Sequence, residues 1–115
     1  MDQPLNDLHG LQDLVAGSAD AADLHATVPT LLLELQTLLG ALSATVTSGS
    51  ERGRRPFRPG EDWVPRLGEV AYGVFLLADQ TGVDLSAAID LTARHLAAKA
   101  EQARPNTDNA WPFGN

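Results

Sequence analysis

Cysteine is absent from this 115-residue chain, and aromatic residues make up only 5% of it. Without cysteine there can be neither a disulfide framework nor a thiolate metal site. Aromatic and β-branched residues, which strands favour, are sparse, whereas Leu and Ala, which are strong helix formers, are frequent. An all-α fold is therefore predicted. The length is enough for one domain with a modest hydrophobic core.

Targeting and membrane signals are also lacking. The first residues, MDQPLNDLHGLQDL, have neither the basic start nor the apolar stretch of a signal peptide. No uninterrupted apolar run approaches the roughly 18 residues that cross a membrane. We therefore expect a cytoplasmic protein with no membrane partner. The net charge of −7 argues against nucleic acid as a partner of the bulk surface.

Charge is unevenly distributed along the chain. Residues 1–23 contain five acidic residues and no Lys or Arg, whereas residues 52–66 contain five of the eight basic residues. The acidic end and the basic stretch could attract each other within or between subunits. They could equally be two solvated surfaces, because exposed ion pairs contribute little to stability.

Apolar periodicity predicts four helices. The first is expected over Leu5–Ala16, with Gly17-Ser18 as its end. The third begins at Pro65 and runs to about residue 81. The fourth covers Leu85–Ala103, with Asp84 as its N-cap.

The second helix ends near Val46, but its start is open. Asp20 or Asp23 could cap an early start, whereas Pro29 suits the first turn of a later one. Residues 47–64, TSGSERGRRPFRPGEDWV, form a predicted loop rich in Gly, Ser, Pro and Arg. Loops of this length in a compact domain are often functional or disordered.

The third helix is apolar on nearly every side. Tyr72, Phe75 and Leu76 are apolar residues outside its main predicted stripe. That stripe consists of Leu67, Val70, Ala71, Val74, Leu77 and Ala78. Such a helix is either central or lies at a subunit interface. We therefore expect a homodimer.

Three features of residues 24–104 resemble the MazG-like nucleoside triphosphate pyrophosphohydrolases. These are a Leu-rich helix with an acid near its middle, TLLLELQTLLGAL, a helix with an acid one turn in, PRLGEV, and the helix-turn-helix segment LADQTGVDLSAAI. The resemblance implies a homodimeric MazG-like four-helix bundle over residues 1–104, with residues 105–115 as an arm or tail. It also implies hydrolysis of a nucleoside triphosphate to the monophosphate and pyrophosphate.

The family's carboxylate motifs are only partly present. A Glu-Glu-x-x-Glu motif is expected on the second helix, where Glu34 is kept but Leu33 and Thr37 replace glutamates. A Glu-x-x-Asp motif is expected on the third, where Arg66 and Glu69 stand instead. Carboxylates at i and i+3 share a helix face, and two such pairs on facing helices would hold Mg²⁺ against the phosphates.

The resemblance assigns Glu34 and Glu69 as the remaining metal ligands. Phosphate contacts are assigned to Lys99 on the fourth helix, and the basic loop offers Arg52, Arg54, Arg55 and Arg58 for the same role. Arg66 would face Glu34 in the family fold, so its guanidinium could substitute for the metal. An Arg within about 4 Å of a Mg²⁺ would repel it by several kcal/mol, so weak or absent metal binding is predicted.

Two functions remain open on these residues. One is a reduced pyrophosphohydrolase that uses Mg²⁺. The other is a catalytically inactive homologue with no cofactor, which acts as a binding or oligomeric interaction module through the basic loop or the aromatic tail, with Trp111 and Phe113.

Overall fold

The computed structural model describes residues 7–103, and these form four α-helices and no strand. The helices are α1 (Leu8–Ala22), α2 (Val28–Gly49), α3 (Trp63–Thr81) and α4 (Leu85–Ala103). The all-α prediction is therefore confirmed. The predicted contributions of Leu5 and of residues 104–115, including Trp111 and Phe113, lie outside the described range.

The first helix continues past the predicted end at Gly17-Ser18, so that boundary was wrong. It runs to Ala22 and ends at Asp23, whose backbone is left-handed with φ 57°. Tertiary packing explains the extension. Ala19 is fully buried, and the Ser18 hydroxyl lies 2.6 Å from the Tyr72 hydroxyl of α3. These contacts offset the low helix propensity of the Gly-Ser pair.

The second helix takes the later of its two predicted starts. Thr27 is its N-cap and accepts a hydrogen bond from the Thr30 amide, while Pro29 occupies the first turn. The early start from Asp20 or Asp23 is excluded because residues 24–27 are not helical. The helix also extends to Gly49 rather than to Val46.

The third and fourth helices follow their sequence signals closely. Gly82, with φ 69°, ends α3, and Asp84 accepts a hydrogen bond from the Ala87 amide at the start of α4. The third helix begins at Trp63, two residues before the predicted Pro65. The predicted loop over 47–64 is therefore shortened to residues 50–62.

The most extensive helix packing is between α2 and α3, while α1 packs on α3 and α4 packs chiefly on α1. The core is small and consists of Val15, Ala19, Leu31, Leu76 and Ala78. Among the described residues α4 contributes no buried side chain. Much of the apolar surface of α2, α3 and α4 is thus left open.

The inward face of α3 differs from the predicted stripe. Leu76 is buried in the core and Tyr72 packs against it, whereas Leu67 and Val74 are exposed. The exposed pair lies seven residues apart and so occupies one side of the helix. Part of the predicted stripe is therefore available at the surface, whereas another of its members, Ala78, is buried.

The second helix is long and apolar enough to cross a membrane, judged by length and composition alone. Its mean hydropathy reaches 1.3 over an 18-residue window, of which 11% is buried. The search for uninterrupted apolar runs missed this helix because Glu34, Gln36 and Thr37 break the run. They lower the mean hydropathy of the window only slightly.

Candidate functional site

Glu34 lies in a cleft of about 350 Å³ beside α2 and α3. Thr37, the next residue of the partly kept motif, lines the same cleft, as Tyr72 does from α3. Thr37 sits one turn after Leu33 and donates a hydrogen bond to its carbonyl oxygen at 3.3 Å. The predicted sharing of a helix face by residues 34 and 37 is therefore observed.

Arg66 and Glu69 form a pair within α3. One guanidinium nitrogen, Nη1 of Arg66, lies 2.8 Å and 2.9 Å from the two carboxylate oxygens of Glu69. The two residues are one turn apart, which is the spacing at which helical side chains meet. Both side chains are 42% exposed, so water screens this pair considerably.

The cleft that Glu34 and Thr37 line is not lined by Arg66 or Glu69. Arg66 has its ion pair with Glu69, not with the predicted Glu34. Helix register explains the separation. A Cβ on Gly73 would lie 2.8 Å from Leu35, so Gly73 faces that part of α2.

The chain reverses between α2 and α3, since the Arg58 amide donates to the Gly49 carbonyl at 3.3 Å. Earlier residues of α3, including Glu69 and Arg66, therefore lie beside later residues of α2. Glu34, one residue before Leu35, lies near Gly73 instead. Within residues 7–103 no three His, Asp or Glu side chains are grouped so that they could hold a metal ion. The metal role of Glu34 and Glu69 stays a prediction.

The basic loop is ordered by its own contacts. The Phe57 and Trp63 rings pack edge to face with centroids 5.1 Å apart, and Gly49 lies against Phe57. The Ser50 hydroxyl donates to the Val46 carbonyl and accepts from the Gly53 amide. These contacts order the turn that joins α2 to α3 and position the start of α3.

The arginines of this loop are all at the surface. Arg55 pairs with Glu51 at 3.4 Å, and Arg52, Arg54 and Arg58 are exposed. None of them lines the cleft that contains Glu34, and neither does Lys99 of α4. The residues predicted to contact phosphate therefore lie on other surfaces of the protein, and that role stays a prediction.

A second polar site joins α1 to the α3–α4 turn, and sequence reasoning missed it. Gln12 donates to the Val83 carbonyl at 2.8 Å and accepts from the Leu85 amide at 3.1 Å. His9 lies 3.1 Å from Asp84. The hydrogen bond with Asp84 raises the pKa of His9, and the same contact lowers the pKa of Asp84. We call these three contacts the Gln12 clamp.

His25 sits between the end of α1 and the end of α3. Its Nδ1 is 3.1 Å from the Gln80 side-chain oxygen, and its Nε2 is 2.7 Å from Asp20. The hydrogen bond with Gln80, and then that with Asp20, raises the pKa of His25. Local sequence patterns carry no signal for these two sites, because Asp84 is 75 residues from His9 and Gln80 is 55 residues from His25.

Comparison with known proteins adds no relative. No protein-family model, curated protein or solved structure matches this chain. Function has to be inferred from the residues and their arrangement.

Proposed function

We propose that this protein is a MazG-like helical protein that acts as an oligomeric binding module, with a second copy covering its open apolar surface. The observation that carries the proposal is an apolar face of α4 that is open to solvent. The residues of this face recur at helical spacing and are Leu85, Ala88, Ile89, Thr92, Ala93 and Leu96. Ile89 is 50% exposed, although a helix with such a stripe normally buries it.

A second apolar stripe runs along α2. Leu32, Leu39 and Val46 recur every seven residues and are 44%, 51% and 39% exposed. Contiguous exposed apolar surface of this kind is typical of interaction sites. A homodimer would remove both stripes from water. The dimer would also bury the apolar surface that gives α2 the hydropathy of a membrane span. In this proposal the protein is cytoplasmic.

The carboxylate arrangement supports binding over hydrolysis. Both oxygens of Glu69 lie within 2.9 Å of the Arg66 guanidinium, so this carboxylate has a cationic partner without a metal ion. Glu34 lies beside a different part of α3. A catalytic Mg²⁺ would need carboxylates from both helices at one point.

Sedimentation equilibrium tests this proposal. The wild type should be a dimer, and Ile89→Glu should be a monomer because the charge falls on the apolar stripe of α4. Leu91→Glu is the matched control, since Leu91 lies on another side of α4 and is 69% exposed. A wild type that remains a monomer at tens of micromolar would contradict the proposal.

A second candidate function is the reduced pyrophosphohydrolase. The carboxylate of Glu34 at an open cleft favours it, because a small-molecule site needs such a concavity. In this reading Glu34 and Glu69 would hold Mg²⁺, and Lys99 or the loop arginines would contact the phosphates after a rearrangement of Arg66. The metal would polarise the phosphates and activate water.

Pyrophosphate release from a panel of nucleoside triphosphates with Mg²⁺ or Mn²⁺ separates the two functions. Turnover that is lost in Glu34→Gln and Glu69→Ala but kept in Glu61→Ala, a loop control, would establish the enzyme. Absence of turnover, with metal binding gained in the Thr37→Glu/Arg66→Glu double variant, would establish the inactive site.

A further inference from the structure

The cleft beside α2 and α3 has an apolar wall and one unengaged charge. The wall is formed by Leu24, Leu31, Leu35, Leu38 and Leu76, with Gly73 packed closely against Leu35. Its volume of about 350 Å³ lies at the lower end of the range for small-molecule sites. The size suits a compact ligand rather than a protein segment.

The other polar groups of the cleft already have hydrogen-bond partners. The Tyr72 hydroxyl lies 2.6 Å from that of Ser18, and the Thr37 hydroxyl donates to the Leu33 carbonyl. For Glu34 the structure records no side-chain hydrogen bond and no ion pair within residues 7–103. Glu34 is exposed, so its hydrated carboxylate is open to a ligand cation at the mouth of the cleft.

The charge of the cleft selects against anions. No Lys, Arg or His lines it, so a polyphosphate would sit beside an uncompensated carboxylate. A cation with a hydrocarbon body would gain both an ion pair with Glu34 and burial of apolar surface. We infer that the cleft binds a small amphipathic cation, such as an alkylammonium or alkylguanidinium, with its charged head on Glu34 and its body among the leucines.

This inference goes beyond the proposed function, since it requires neither dimer formation nor hydrolysis. Isothermal titration with hexylammonium, hexanol and hexanoate tests it. Hexylammonium should bind saturably, about fivefold more tightly than hexanol, as expected for one partly exposed ion pair. Hexanoate should bind more weakly than either ligand.

Variants at Glu34 sharpen the experiment. Glu34→Gln should reduce hexylammonium affinity to that of hexanol, whereas Glu61→Gln, which removes an exposed carboxylate outside the cleft, should leave it within twofold. Glu34→Lys should reverse the preference, so that hexanoate binds more tightly than hexylammonium. This gained affinity cannot arise from misfolding.

Three results would overturn the inference: equal affinity for hexylammonium and hexanol, failure of Glu34→Lys to bind hexanoate, or hexylammonium affinity that falls as the protein dimerises. The last result would mean that a second copy covers the cleft. Because binding is measured without nucleotide, failure of the pyrophosphate assay leaves this outcome unaffected.

Discussion

Arg66 places a single nitrogen, Nη1, within 2.8 and 2.9 Å of both oxygens of the Glu69 carboxylate. The pair engages both oxygens of a carboxylate that the sequence resemblance predicted as a metal ligand. It does so within one helix turn, and so it does not depend on α2. Removing the arginine therefore changes the charge of this surface without disturbing the core.

We expect Arg66→Ala to lower the free energy of unfolding by less than about 1 kcal/mol, because the pair is half exposed and links neighbours on one helix. Denaturant unfolding measures this. The matched variant Glu69→Gln should cost a similar small amount. A loss of several kcal/mol in either variant would mean that the pair is buried in solution, for instance at an interface.

The His9–Asp84 pair should make stability depend on pH. The pKa of His9 is raised above its usual 6.5, so its stabilising effect is complete below about pH 6.5 and is lost as pH rises through the folded-state pKa. The pKa of Asp84 is lowered below 3.8, so its effect is present above that pH and is lost as pH falls through the folded-state value. The pair therefore stabilises most between about pH 4 and 6.5.

Thermal unfolding of His9→Gln checks this window. The difference in Tm from the wild type should be larger at pH 5.5 than at pH 8.5. The carboxylates of Asp7 and Asp13 on α1 also raise the pKa of His9 and act in the same direction. The control is Gln36→Ala on α2, whose Tm difference from the wild type should be the same at both pH values. An equal Tm difference at both pH values would contradict the assignment.

Two glycines of α2 should respond oppositely to alanine. A Cβ at Gly49 would lie 2.8 Å from the Phe57 ring and 2.9 Å from the Arg58 carbonyl, so Gly49→Ala should destabilise by about 1–3 kcal/mol. Gly40 has open space around its Cα, so Gly40→Ala should stabilise by about 0.5–1 kcal/mol through helix propensity. Urea unfolding of both variants gives the comparison, and a neutral Gly49→Ala would show that the 50–62 loop does not rest on α2.

The Gln12 clamp should control how firmly α4 is held. Gln12→Ala removes two hydrogen bonds across the α3–α4 turn, at a cost of about 1–2 kcal/mol. Hydrogen exchange should accelerate in α4 more than in α2 or α3. Gln36→Ala, which changes an exposed glutamine of α2, is the control and should leave the exchange pattern unaltered. Unchanged α4 exchange in Gln12→Ala would mean that other contacts hold this helix.

Features set by local chemistry were predictable from the sequence. Gly82 and Asp84 end one helix and start the next through their own backbone and side-chain preferences. The end of α1 was not, because the burial of Ala19 by α3 overrides the weak helix propensity of Gly17 and Ser18. Tertiary contacts of this kind leave no trace in a local pattern.

The candidate site was also predictable only where local helical spacing decides the arrangement. Helical spacing was enough to expect Glu34 and Thr37 on one face, and both line the cleft. Helical spacing also brings Arg66 to Glu69, whereas the position of Glu34 along α3 depended on the helix register that Gly73 and Leu35 set through close packing. The Gln12 clamp depended on residues more than 70 positions apart, which only the fold brings together.

The hydrogen bond between Ser18 and Tyr72 spans 54 residues, and it has a consequence for the order in which the chain folds. The loop that closes the α2–α3 hairpin, residues 50–62, is much shorter than the 54-residue separation of Ser18 and Tyr72, so its ends meet at lower entropic cost. The second half of α1 has nothing to pack on until α3 exists. During synthesis, we expect the hairpin to form first and α1 to fold back onto it. In hydrogen-exchange labelling during refolding, amides of α2 and α3 should gain protection before those around Ala19.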